Sequence, residues 1–251
     1  MSTVRSKPVQ ATEPALAGLG LSLNYGDLRV LNEVDFSVGA GEAVGIVGPN
    51  GAGKTTLLGV LAGAIKPDRG TVHIGGQDVT KLRQEMRCRK GIGRAFQIPR
   101  PFGGMTVLEN VLVGVSYGTR VSRNDAYRRC VEVLELCGLI ELANRRADTL
   151  GLLHRKRLEL ARALATGPQV LLLDEIGGGL TDAEAEQLVD TIKQLHGLGI
   201  GIVWIEHIVH VLVQVVERLV CMDAGRVIAD GEPEAVLSDA HVVDAYLGGG
   251  H

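Results

Sequence analysis

The stretch Gly48-Pro49-Asn50-Gly51-Ala52-Gly53-Lys54-Thr55-Thr56 decides the fold. It satisfies G-x-x-x-x-G-K-[ST] at every required position. The run before it, 43–47, is short, apolar and β-branched, so it reads as a buried strand ending in a loop. After it, 54–62 has helical character and stops at Gly63. Strand, glycine-rich loop and helix together make a phosphate cradle. The glycines let backbone N–H groups curl around an anion without Cβ clashes. The helix beginning near Lys54 points its positive end at the same place. Lys54 supplies charge to the β- and γ-phosphates, and the Thr55 hydroxyl is offered to Mg²⁺. The expected ligand is ATP with Mg²⁺.

A second half-site is expected downstream. Val170-Leu171-Leu172-Leu173-Asp174-Glu175 is an apolar strand ending in two carboxylates. Asp174 then holds Mg²⁺, and Glu175 polarises the attacking water or is simply a solvated loop carboxylate. His207 follows the strand residues Val203-Trp204-Ile205 and Glu206, where a side chain reaches the γ-phosphate. His210 has no such placement and reads as a surface or packing residue. Gln97, after Phe96, either senses Mg²⁺ and the water or is a plain polar loop residue. Tyr25, in the turn Tyr25-Gly26-Asp27, either stacks on adenine or is a half-buried turn aromatic.

The rest of the chain frames these segments. Residues 15–41 read as short strands, with 21–23 and 34–38 alternating around a turn. The runs 170–173 and 200–205 are apolar on both faces, as in a parallel sheet covered by helices. Between them 182–195 reads as a helix with an acidic first turn and Gly197 after its end. Two further strands, 219–222 and 227–229, flank Asp223-Ala224-Gly225, and 232–245 reads as one terminal helical piece. The middle, 106–165, is helix-rich, with periodic Val107, Leu108, Val111 and Leu112, then Val131, Val133, Leu134 and Leu136. The fold class is therefore α/β, with a helical lobe over roughly 103–166 inserted in the core. Residues 1–14 read as a polar flexible tail, and 15–251 as one domain.

Bulk properties narrow the function. The chain has 251 residues, 45% of them hydrophobic, enough for a sizeable core without disulfides. Lys plus Arg is 26 against 29 for Asp plus Glu, a formal charge of -3. That balance leaves no footprint for nucleic acid or anionic lipid, and 3% aromatics leave little for base stacking. Cys88, Cys130, Cys137 and Cys221 contain no C-x-x-C pair and read as reduced core thiols. No apolar leader is expected at the N-terminus, and 200–220 carries too many polar residues to cross a bilayer. Work at a membrane would require a partner.

Taken together, these residues resemble an ATP-binding-cassette ATPase. Tyr25, the loop 48–56, Phe96-Gln97, 171–175 and His207 stand in that family's order and spacing. The resemblance implies a P-loop NTPase (RecA-like) core, an antiparallel β lobe and a helical lobe. It implies a second ATPase subunit, equal or different, with two ATP molecules sandwiched between the pair. It implies docking through the Gln97 region and the helical lobe onto cytoplasmic helices of membrane permeases. The protein would then be peripheral on the inner face of the cell membrane, with a solute-binding protein as an indirect partner. Gly91-Ile92-Gly93-Arg94-Ala95-Phe96-Gln97, 105–111, 157–162 and Asp244-Ala245-Tyr246-Leu247-Gly248 are similar to branched-chain amino-acid importer ATPases. Lipopolysaccharide-export ATPases share part of the pattern.

The sequence also departs from that family. Its signature Leu-Ser-Gly-Gly-Gln corresponds here to Leu150-Gly151-Leu152-Leu153-His154. The serine hydroxyl is missing and both glycines are Leu. Ile176 replaces a usual proline, and Gly177-Gly178-Gly179 makes the following loop pliable. Either this is a working variant of the signature, or the chain is a nucleotide-binding regulatory subunit that depends on an orthodox partner. A soluble ATPase of DNA repair or translation is a third reading, disfavoured by the single nucleotide domain and the lack of a basic patch.

Overall fold

The computed structural model describes residues 13–118 and 122–248. Of the expected tail only Glu13 and Pro14 fall among them, and they have no regular structure. In chain order the chain forms β1 (Leu16–Tyr25), β2 (Leu28–Val38), β3 (Ala43–Val47), α1 (Lys54–Ala62), β4 (Arg69–Ile74), β5 (Gln77–Asp78), α2 (Gln84–Cys88) and β6 (Ile92–Ala95). There follow α3 (Val107–Gly118), α4 (Arg123–Leu136), α5 (Leu152–Ala165), β7 (Val170–Asp174) and α6 (Asp182–Gly197). The last part holds β8 (Gly201–Ile205), α7 (Val209–Leu212), β9 (Arg218–Asp223), β10 (Arg226–Gly231), α8 (Pro233–Ser238) and α9 (Ala240–Gly248).

Two sheets carry these elements. One is antiparallel, in the order β2-β1-β4-β5, and the other runs β10-β9-β3-β8-β7-β6. In the second, β3, β8, β9, β7 and β6 pair in parallel, and β10 closes the edge antiparallel to β9. The period-2 rule explains why its inner strands β3 and β8, and β7 as far as Asp174, are apolar on both faces. Val44, Ile46, Val170, Leu172, Val203 and Ile205 face one cluster, shared with α1 and the antiparallel sheet. Ala43, Val47, Leu171, Leu173, Ile202 and Trp204 face the other, shared with the helices α3 to α6. Helix α1 lies between the two sheets, and Leu57, Leu58, Val60 and Leu61 are all fully buried. Each such side chain contributes about 1.5–3 kcal/mol relative to leaving it exposed.

Three expectations are corrected. The strands over 15–41 are not short: β1 has 10 residues and β2 has 11. Register shifts between Gly18 and Asn24 interrupt the alternation, so one long hairpin looks like separate pieces in the sequence. Gly197 is the last residue of α6 rather than the residue after it; the chain turns off at Gly199, with φ 81. The terminal piece is two helices. Asp239, in extended conformation, separates them and accepts the His241 N–H through Oδ1 at 2.8 Å, a local bond that competes with helix continuation. In the helix-rich middle Val107, Val111, Val133 and Leu134 are buried, while Val131 faces outward.

Candidate functional site

The loop after β3 is built around glycines that nothing else can replace. Gly48 has φ 141, and a Cβ on it would lie 2.0 Å from the Met222 carbonyl oxygen of β9. Gly53 has φ 98, and its Cβ would lie 2.6 Å from the Val30 carbonyl oxygen. The loop is therefore pressed against β9 on one side and the β1–β2 hairpin on the other. Asn50, Gly51, Ala52, Gly53, Lys54, Thr55 and Thr56 line a cavity of about 180 Å³, together with Val30 and Glu175. Gly48 and Pro49 stand outside that lining.

Lys54 is buried, and its Nζ donates to the carbonyls of Gly48 at 2.7 Å and Pro49 at 2.9 Å. Burial pulls its pKa below the ordinary lysine value, and the nearby Glu175, Cys221 and Asp174 oppose that shift. An ammonium held in this way on weak neutral acceptors gains most when an anion arrives.

The carboxylates of the β7 end face this loop. Thr55 Oγ1 donates to Asp174 Oδ1 at 3.1 Å, and Arg94 Nη2 donates to Asp174 Oδ2 at 2.9 Å. A hydroxyl and a carboxylate side by side are the hard oxygen donors that Mg²⁺ takes, so Thr55 and Asp174 fit that ion. Glu175 is one of three non-glycine residues with positive φ among the described residues, at 48°. Backbone strain of this kind is held only where surrounding bonds fix the side chain. Here two do: Gln97 Nε2 donates to Glu175 Oε2, and His207 Nε2 lies 2.8 Å from Glu175 Oε1.

Gln97, Glu175 and His207, three positions far apart in the sequence, thus share one cluster, and Thr55 with Asp174 forms a second beside it. Gln97 makes its side-chain bond to Glu175 rather than to the Thr55–Asp174 pair, although it lines a cavity of about 440 Å³ with both. Tyr25 is 54% exposed at the hairpin tip and lines neither cavity. His210 is exposed on α7, as its sequence position suggests.

Three contributions were not legible beforehand. Arg94, one residue before the end of β6, pairs with Asp174 and stacks 4.7 Å from the Phe96 ring. Glu206 is buried, and burial pushes its carboxyl above the usual range; it accepts the Gly177 N–H at 2.6 Å. A Cβ on Gly177 would lie 2.8 Å from that oxygen, so a larger residue there would displace the Glu206 carboxylate. Tyr246, in the last helix, bonds Gly48. Only the apolar run 202–205 ahead of Glu206 hints at burial; no spacing rule pairs these residues with their partners.

The segment 150–154 begins α5, whose N-cap is Gly151, extended and without a side-chain cap. Leu153 is buried, whereas Leu152 is 43% exposed beside Gly179. The helix N-terminus is in place, and no hydroxyl stands on it.

Comparison with known proteins agrees with this geometry. The ABC transporter family model matches residues 31–177, and a model of the branched-chain amino acid ATP-binding cassette transporter matches 226–251. The chain is 35% identical to the high-affinity branched-chain amino acid transport ATP-binding protein LivG of Escherichia coli K12, over 94% of this chain and 99% of that one. It is 32% identical to the lipopolysaccharide export system ATP-binding protein LptB of Haemophilus influenzae, over 93% and 97%. Among solved structures, an ATP-binding cassette of an ABC transporter in its ADP conformation superposes with a TM-score of 0.85, at 31% identity over 94% of this chain and all of that one. With loop, carboxylates and lobe arranged as described, the chain belongs to the ATP-binding-cassette family of transporter ATPases.

Proposed function

We propose that the chain hydrolyses ATP to drive a membrane importer of branched-chain amino acids or related small polar solutes. The observation that supports hydrolysis best is the strained Glu175, whose carboxylate is held by Gln97 and His207 at the edge of the phosphate cavity. A carboxylate in that position accepts a proton from water and aims it, and His207 and Gln97 keep it from swinging away. Lys54 leaves the Gly48 and Pro49 carbonyls for the phosphates. Thr55 and Asp174 would hold Mg²⁺, which when bound neutralises phosphate charge. ATP stands between this face and the signature face of a second ATPase subunit, and the cleft beside Phe96 receives a permease.

The importer reading rests on the LivG relative and on the C-terminal match at 226–251. The LptB likeness is lower by a few per cent identity, and an export role is its counterpart. A regulatory role is favoured by one observation, the hydroxyl-free N-terminus of α5 at Gly151.

Phosphate release measured with the chain alone, and with permease and partner ATPase in vesicles, separates these readings. Wild type turns over, and Glu175→Gln slows turnover by about 10²-fold or more while retaining ATP and trapping a dimer. Mg-ATP binding with no turnover in any of these preparations would sink the enzymatic reading. Restoring the signature (Gly151→Ser, Leu152→Gly, Leu153→Gly, His154→Gln) changes little if 150–154 works as it stands. A large gain supports the regulatory reading.

A further inference from the structure

The last helix, α9, reaches back to the phosphate loop. The Gly48 N–H donates to Tyr246 Oη at 2.8 Å, across 198 positions of sequence. The carbonyl of the same glycine accepts from Lys54 Nζ at 2.7 Å. One residue therefore joins the Tyr246 hydroxyl on one side to the Lys54 ammonium on the other. The Gly48 backbone lies close against β9, since a Cβ on it would fall 2.0 Å from the Met222 carbonyl oxygen.

The surroundings show that this bond is not incidental to close packing. A cavity of about 790 Å³ opens between loop and helix, lined by Pro49, Asn50, Asp223, Ile228, Asp244 and Ala245 among others. Helix α9 is held to the body through Val242, which is buried, and Tyr246 spans to the loop beside that space. Tyr246 keeps 45% of its surface exposed, and partial burial of the phenol pushes its pKa up against the opposing Gly48 hydrogen bond.

We propose that Tyr246 is a positioning residue of the phosphate loop: its hydroxyl fixes the Gly48 N–H, and across that residue the carbonyl on which Lys54 rests. The last helix is then part of the nucleotide site, although it touches no nucleotide. This rests on the reading of 48–56 as the ATP loop.

The test is Tyr246→Phe, which removes one oxygen and keeps the ring. Binding of a fluorescent ATP analogue and of ADP is measured without and with Mg²⁺, beside the thermal unfolding midpoint and amide exchange over 44–54. The loss of one hydrogen bond at a site water can partly reach should weaken both nucleotides about fivefold. Exchange at the Gly48 amide should speed up at least threefold, with the unfolding midpoint unchanged, a pattern that loss of general stability does not produce. In turnover assays KM for ATP rises and kcat stays within twofold. Tyr127→Phe, on α4, leaves affinity unchanged. If Tyr246→Phe binds both nucleotides within twofold of the parent and the Gly48 amide exchanges at the same rate, the proposal is wrong while the ATP-loop reading stands. If the parent itself binds neither nucleotide, both fall.

Discussion

At the scale of single residues, the site depends on positions where only one side chain, or none, fits. Gly48 is the sharpest case. Its φ of 141 and the Met222 oxygen at 2.0 Å leave no place for a methyl group. Gly48→Ala should cost about 3 kcal/mol or more and abolish nucleotide binding, as read by urea unfolding and by binding of an ATP analogue. Stability within 1 kcal/mol of the parent would show that β9 yields instead. The motif at 48–56 announced this requirement, because the chemistry of phosphate binding restricts residue types locally. The bond from Arg94 to Asp174 was not announced. Arg94 sits 80 positions from its partner, and nothing in a single strand's sequence says which neighbour it will meet. Tyr25 illustrates the opposite limit, since its position at the turn is legible while its ring is left exposed at the hairpin tip.

At the scale of elements, boundaries follow caps where caps exist. Thr181 begins α6 with a reciprocal pair of bonds: its Oγ1 accepts the Glu184 N–H, and Glu184 Oε2 accepts the Thr181 N–H at 2.9 Å. This box also ends the triple-glycine loop after Glu175, so it limits how far a pliable segment can fray. Thr181→Ala should destabilise the fold by about 1 kcal/mol, seen as a lower urea midpoint at unchanged slope. A change below a few tenths of a kcal/mol would mean that packing of Ala185, Leu188 and Ile192 alone sets the helix start. The box was readable as an acidic first turn; the far end of the helix was not. Gly197 resembles a stop signal, yet packing continues through Leu195, and the His196 ring bonds the Gly41 carbonyl at 2.7 Å, carrying the helix on. The β1–β2 hairpin failed in the same way, because its irregular register hides the period-2 pattern.

At the scale of the whole molecule, burial of ionisable groups sets the pH range of stability. Cys137 lies in the cluster under the helical lobe, where burial pushes its thiol up to about 12 from 9.0. The folded state therefore keeps a proton that the unfolded chain releases above pH 9. The sign follows: this contribution is constant below pH 9 and is lost as pH rises toward 12, by about 1.4 kcal/mol per unit. Unfolding free energy between pH 8 and 10.5 should fall more steeply for the parent than for Cys137→Ala, and equal slopes would refute this account. Cys221, pushed up to about 11, adds to the same trend.

By itself the sequence determined the α/β class, the phosphate loop, the carboxylate pair and the helical insertion. These are written in local residue types and short periods, because a phosphate cradle and a buried parallel strand each constrain their own few residues. Tertiary structure alone decided the partners. It brought Gln97 and His207 onto Glu175, Arg94 onto Asp174, Glu206 onto the Gly177 N–H, and Tyr246 onto Gly48. The physical reason is that sheet order, β10-β9-β3-β8-β7-β6, is not chain order. Which strand ends and helices meet is fixed by how the apolar faces pack, and that is a property of the whole chain.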